Sequence, residues 1–318
     1  MKEELQLLDK LQLNFNSEGL FALNLVLAFI MFGIALEIKP KHFKDVFTNP
    51  KSAIIGILSQ FFVLPLVTFI FAILISDYIT IGVALGMIMV ASCPGGNISN
   101  FISHLAKGNT ALSVSLTGFS SLGAIILTPA NFAFYGTQFI KYTERTSELV
   151  RPLSIDPVQM FTTVFIILGI PLIIGLQFSR FFPKITEKII KPIKFVSIIG
   201  FVGFIVVAFS SNFEHFIAHI EWVTIIVFFH NLLAILTGLT VSGLFKLTPV
   251  NRKTIAIETG IQNSGLALVL IFNPKIFPPD LEVGAMAYIA AWWGIWHIIA
   301  GLSIAYIWKN RYVSAIPK

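Results

Sequence analysis

The chain has 318 residues, 56% of them apolar and only 12% charged, with a mean hydropathy of +0.84. That balance excludes a soluble globular domain and implies an all-α polytopic membrane protein. The net charge of +6 does not mark a nucleic-acid binder, because the 22 basic residues are scattered between apolar runs rather than gathered on one face.

A polar N-terminal stretch, Met1 to Gly19, leads into the first apolar run at about 20–37. This run lacks a basic leader and a small-residue cleavage site and ends at Lys39, Lys41 and Lys44, so it reads as a membrane helix rather than a signal peptide. Further runs follow at about 52–75, 79–104, 109–134, 158–179, 192–212, 222–245, 254–272 and 281–308, which predicts nine transmembrane helices in one unit spanning 1–318. A polar outside loop near 135–157 separates four runs from five. Placing the N-terminus outside and the C-terminus inside puts 16 basic residues in the inside segments and 6 in the outside ones. The positive-inside rule selects that orientation.

The second run carries Gln60 at depth, where an amide needs a partner, and a helix–helix hydrogen bond is its ordinary role. The third run holds Ser92-Cys93-Pro94-Gly95-Gly96-Asn97-Ile98-Ser99-Asn100 at its centre. Proline removes a donor and the glycines weaken helix, so the helix is expected to break there, with Asn97 or Ser99 capping the second half. Cys93, the single cysteine, excludes an intramolecular disulfide. In the fourth run Ser113 and Thr117 lie at i and i+4 on one face, a pattern also met where hydroxyls simply bond their own backbone.

His215 and His219 have the spacing of zinc ligands, but Glu214 to Glu221 reads as a short interfacial loop where polar residues are expected. His230, Asn231 and His297 are intramembrane, where each can serve a neighbouring carbonyl. The eighth run repeats the anomaly of the third, with Glu258-Thr259-Gly260-Ile261-Gln262-Asn263-Ser264-Gly265 at its centre. Glu258 is the one acid expected near mid-membrane, and no lysine or arginine is expected at its depth. Such an acid persists only where it is neutralised. Sodium suits the oxygen-rich surroundings, and a proton is the rival. The two interrupted helices occupy corresponding positions in halves of opposite orientation, which points to a secondary transporter built on an inverted repeat. Their second halves begin near Asn97 and Asn263 and aim N–H groups at the cavity, which suits an anion. No hydrolase, nucleotide or zinc-protease motif occurs, so a membrane-embedded enzyme or sensor is the weaker class.

These residues resemble the bile acid:sodium symporter family, especially its bacterial members. The likeness runs from Phe29-Ile30-Met31-Phe32-Gly33 through Leu36-Glu37-Ile38-Lys39-Pro40 and Ile54 to Gln60, and it is most specific at Cys93 to Asn100, Gly108 to Thr117 and Glu258 to Gly265. It implies core and panel domains with two crossing discontinuous helices. The panel would comprise about 20–37, 158–179 and 192–212, and the core about 52–134 and 222–308. It further implies one sodium ion among Ser99, Asn100, Ser113, Thr117 and Glu258, and a second held by Gln60, Glu258, Gln262 and the carbonyls of Thr259 and Ile261. Asn97, Asn263 and His297 would contact the substrate, an organic anion such as a bile acid or a small carboxylate like pantoate. The expected activity is sodium-coupled symport across the cytoplasmic membrane by alternating access, with proton-coupled transport the alternative. Two sodium ions are the only cofactors expected, and lipid, sodium and the anion the only partners.

Overall fold

The computed structural model describes residues 2–10, 17–37, 50–144, 156–210, 213–277 and 281–311. Those residues form helices and the turns between them, without a named strand. In chain order the helices are α1 (Lys2–Asp9), α2 (Ser17–Glu37), α3 (Pro50–Leu74), α4 (Ile81–Ser92), α5 (Ile98–Leu105), α6 (Thr110–Glu144), α7 (Pro157–Phe181), α8 (Pro183–Ser210), α9 (Phe213–Leu244), α10 (Pro249–Gly260), α11 (Ser264–Ile271) and α12 (Gly284–Arg311). Five of them, α3, α6, α7, α9 and α12, contain stretches long and apolar enough to cross a bilayer. The chain is therefore a multi-pass membrane protein.

Local chemistry sets several boundaries. Thr80, Asp156 and Thr248 cap α4, α7 and α10 by accepting from the N–H groups of Val83, Val158 and Asn251. Within α3, Pro65 cannot donate to the carbonyl of Phe61, and a π-helical turn at Ser59–Val63 precedes it. The Nδ2 of Asn131 donates to that Phe61 carbonyl at 2.8 Å, so the freed acceptor is paired. Pro171 follows a second π-helical turn, Phe165–Gly169, in the same way.

Three expected loops are shorter than the sequence suggests. The segment expected as an outside loop from residue 135 continues α6 to Glu144, because Gly136, Phe139 and Ile140 remain buried on one face while Lys141 and Glu144 emerge on the other. Glu214 to Glu221, expected as a loop with His215 and His219, belongs to the start of α9. Positions 184–191, expected between helices, lie in α8, which starts at Pro183. In each case a helix continues through polar residues beyond the apolar run. Lys39, Lys41 and Lys44 lie outside the described residues.

α2 packs against α7 and α8, whereas α3, α4, α6, α9, α10 and α12 pack chiefly among themselves. At the centre of that second group lie α4, buried from Gly82 to Ser92, and α11, buried along all of its length. Helices apolar on every side are interior helices, and here both lead into or out of a break. α1 lies across the ends of α4, α9 and α12 with Leu5 and Leu8 fully buried.

Candidate functional site

The site is where the two broken helices meet. α4 stops at Ser92 and α5 starts at Ile98; α10 stops at Gly260 and α11 starts at Ser264. Between them Cys93 and Ile261 adopt extended backbone, and the two unwound segments form an antiparallel bridge between Gly95 and Gln262. The Gly96 N–H donates to the Ile261 carbonyl at 2.7 Å, and the Asn263 N–H donates to the Pro94 carbonyl at 2.9 Å. The crossing explains the paired glycines. A Cβ on Gly96 would lie 2.9 Å from the Gln262 carbonyl oxygen, and one on Gly95 would collide with Oε1 of Glu258.

Unwound backbone in a membrane interior requires partners for its polar groups. Nearly every carbonyl here has one. Gln60 Nε2 donates to the Cys93 carbonyl at 2.9 Å, Gln262 Nε2 to that of Thr259 at 2.6 Å, and Asn231 Nδ2 to that of Gly260 at 2.7 Å. Asn231 thus takes the carbonyl-serving role open to it from the sequence. His230 does not: its Nε2 is 2.9 Å from Thr68 Oγ1 and its ring meets Trp293 edge-on.

Ser99, Asn100, Ser113, Thr117 and Glu258 come together. The Glu258 side chain is 3% exposed. Its Oε2 accepts from the hydroxyls of Ser99 at 2.7 Å and Ser113 at 3.1 Å, and its Oε1 from Thr117 at 2.7 Å. Thr117 Oγ1 also lies 3.2 Å from Asn100 Oδ1. Hydrogen bonds to a carboxylate contribute about 1.5–3 kcal/mol each, so three of them offset much of its desolvation without removing its charge.

Gln60, Thr259 and Gln262 form a second cluster. Gln60 Nε2 donates to Gln262 Oε1 at 2.7 Å, while Gln60 Oε1 is buried and unpartnered. The π-helical turn of α3 is what presents this side chain. Ser59 Oγ, 3.1 Å from Thr259 Oγ1, joins the cluster and was not singled out by the sequence, although it adjoins Gln60. Ile261 turns its carbonyl to Gly96 and keeps one lone pair for another partner. The Glu258 carboxylate is bonded within the first cluster; it reaches the second through the adjacent backbone of Thr259.

Asn97 and Asn263 stand at the starts of α5 and α11, and their capping differs. Asn263 Oδ1 accepts from the Leu266 N–H at 3.0 Å, whereas Asn97 makes no side-chain cap bond. The expectation that Asn97 or Ser99 caps α5 is therefore corrected. Asn97 already has helical angles, and the Ser99 hydroxyl is drawn away by Glu258. His297 lies on α12 between Gly294, which abuts Ser264, and Gly301, which abuts Ile102 and Ile261. These three share one helical face, and His297 Nδ1 is buried without a partner.

The profile of the Sodium Bile acid symporter family matches residues 24–219. The chain belongs to that family. It is 31% identical over 292 residues to "Uncharacterized sodium-dependent transporter YocS" of Bacillus subtilis (strain 168), covering 91% of this chain and 83% of that protein. It is 27% identical over 297 residues to "Probable sodium/metabolite cotransporter BASS2, chloroplastic" of Oryza sativa subsp. japonica, covering 92% of this chain and 65% of the relative. It is also 27% identical to the human "P3 protein", covering 81% of this chain and about half of that protein, 52%. The profile runs from within α2 to the first residues of α9 and includes the first break. Glu258 lies beyond it, but an alignment over 91% of the chain must include that position. The family is one of sodium-dependent transporters rather than enzymes.

Proposed function

We propose that the protein is a sodium-coupled symporter that carries an organic anion, bile acid-like or a small carboxylate, through the cytoplasmic membrane. The observation that carries this reading is the Glu258 cluster: a buried carboxylate whose described bonds are all to neutral hydroxyls, beside a crossing rich in amide and carbonyl oxygens. Hard cations take such ligands. One sodium ion is assigned to Ser99, Asn100, Ser113, Thr117 and Glu258, and a second to Gln60, Gln262 and the carbonyls of Thr259 and Ile261, with Glu258 shared. The name of the Bacillus relative supports sodium dependence, and that of the rice relative supports a metabolite as cargo.

On this reading α4 with α5 and α10 with α11 each make one interrupted crossing, so that with α2, α3, α6, α7, α8, α9 and α12 there are nine, N-terminus outside. The packing of α2 on α7 and α8 supports treating them as a panel that moves against the rest. Sodium completes the crossing, and the anion meets the starts of α5 and α11 beside Asn97, Asn263 and His297. The electropositive ends of these half-helices favour a carboxylate there.

Uptake into proteoliposomes tests the proposal. An inward sodium gradient is expected to drive uptake of a panel of organic anions, and an inside-negative potential to accelerate it. Uptake unchanged when choline replaces sodium sinks the proposal. Uptake driven by a pH gradient without sodium would select proton coupling at the same carboxylate.

A further inference from the structure

One turn from the Glu258 cluster, toward the end of the molecule where Lys107, Lys246 and Arg252 sit, a second tier of polar groups repeats the first. Ser103 follows Ser99 on α5, Thr254 precedes Glu258 on α10, and Asn109 precedes Ser113 and Thr117 at the start of α6. Each step is four residues, so each group continues the face that the first tier turns to the carboxylate. The Thr254 hydroxyl and the Ser103 carbonyl meet at Gly108, the residue before Asn109. A Cβ there would lie 2.7 Å from Thr254 Oγ1 and 3.1 Å from the Ser103 carbonyl, and the Gly108 N–H donates to that carbonyl at 2.8 Å.

The tier holds oxygens that the fold leaves partly unused. Ser103 is fully buried and its hydroxyl has no partner. Thr254, also fully buried, accepts from the Asn109 N–H at 2.7 Å. Asn109 Oδ1 accepts from the Leu112 N–H at 3.1 Å and keeps a second lone pair. On the same helices Ile102, Ile257 and Ile261 form a buried apolar group. Beyond the tier, Asn109 Nδ2 donates to Asn251 Oδ1 at 2.9 Å and Asn251 Nδ2 to Ser52 Oγ at 2.9 Å, which ties α6, α10 and α3 together.

We propose that Ser103, Asn109 and Thr254 form a transient sodium station between the Glu258 cluster and the basic end of the molecule, and that the Asn109–Asn251–Ser52 chain is the latch closing it. The inference rests on the sodium-coupled reading and adds the route by which the ion leaves. A cation stepping off the carboxylate needs replacement oxygens within about one helical turn, ~5 Å, and this tier supplies them along helix faces it already touches. The station has no carboxylate, so it binds weakly, as a site that must release its ion should.

Tracer sodium exchange in proteoliposomes of the full chain tests it, alongside the sodium concentration at half-maximal thermal stabilisation. Ser103→Ala is expected to slow exchange by at least ~3-fold while that midpoint moves by less than ~2-fold, because the Glu258 cluster is untouched. A purely structural Ser103 predicts the opposite: loss of an unpaired buried hydroxyl leaves exchange unchanged and raises the melting temperature. Thr254→Val is expected to slow exchange as well, and Thr254→Ser, which keeps the oxygen, to restore part of the rate. Asn251→Ala, which opens the latch, is expected to speed it. Wild-type exchange rates in Ser103→Ala, Thr254→Val and Asn251→Ala overturn the station while leaving the transporter reading intact. A wild-type protein that neither exchanges sodium nor is stabilised by it overturns both.

Discussion

The break at Cys93–Asn97 and the break at Ile261–Asn263 cross each other, yet they are finished differently. In the second, Asn263 closes its own helix cap, Asn231 and Gln262 hold the carbonyls of Gly260 and Thr259, and Glu258 is gripped by three hydroxyls from α5 and α6. In the first, Gln60 from α3 and the Asn263 N–H of the other break pair the carbonyls of Cys93 and Pro94, and Asn97 makes no side-chain cap bond to α5. The difference divides the labour. On the proposed reading the second break would hold the cation, and the first, whose helix start has no side-chain cap, would meet the anion.

Removing the charge from the holder has the largest expected effect. Glu258→Gln keeps the size of the side chain and leaves the hydroxyls partners, so the protein is expected to fold. Sodium-driven uptake is expected to fall by at least ~100-fold, the loss of a full charge from a buried ion site. Sodium-dependent thermal stabilisation is expected to vanish. Full stabilisation in this variant would show that the second break does not hold the ion.

Next comes the crossing itself. Gly96→Ala drives a methyl group against the Gln262 carbonyl, 2.9 Å away, where only backbone can give. A cost of ~1–3 kcal/mol is expected, with weakened binding of both sodium and anion. Gly56→Ala on α3 meets the Cδ atoms of Leu116, the far end of a side chain that can rotate, so its cost is expected to be smaller. If the order is reversed in urea or thermal unfolding, the bridge is not what joins the breaks.

The two asparagines separate the roles more finely. Asn263→Ala removes a helix cap and is expected to lower stability by ~1 kcal/mol. Asn97→Ala removes no cap bond, so stability should hold while the KM for the anion rises. Equal loss of stability in both would erase the distinction between the closed and the open cap.

Much of this site was legible in the sequence because proline, paired glycine, amides and an acid are out of place in an apolar run. Gln60 stood out by depth for the same reason, and Ser113 and Thr117 by their i, i+4 spacing together with the family resemblance. Ser103 and Thr254 did not, since hydroxyls in membrane helices ordinarily bond their own backbone and only packing reveals that Ser103 lacks any partner. The π-helical turn that presents Gln60 left a trace in Pro65, but its partner Asn131 lies 70 residues away, beyond local pattern. The helical extensions at residues 135–144 and 213–221 were hidden because charge at a membrane surface looks alike in loops and helix ends.

The outer ends of the entering helices also differ, and here the expected effect is smallest. Both start on a threonine cap, but α4 also lies beneath Asp9 of α1, whose Oδ1 is buried, without a partner, against Gly82. Burial pushes the Asp9 carboxyl up from 3.8 to about 7; a hydrogen bond from Thr80 opposes the shift and the charge of Glu282 adds to it. The folded protein therefore binds this proton more tightly than the unfolded chain. The stabilisation is full below pH 3.8 and is lost as pH rises through 7. Above that, an ionised Asp9 sits beside Glu282 and should loosen α1 from the ends of α4 and α12. The melting temperature is expected to be ~2–4 °C lower at pH 8 than at pH 5, and Asp9→Asn to remove that difference. A wild-type protein equally stable at both pH values would mean that Asp9 is solvated, and that α1 does not clamp the helix leading into the first break.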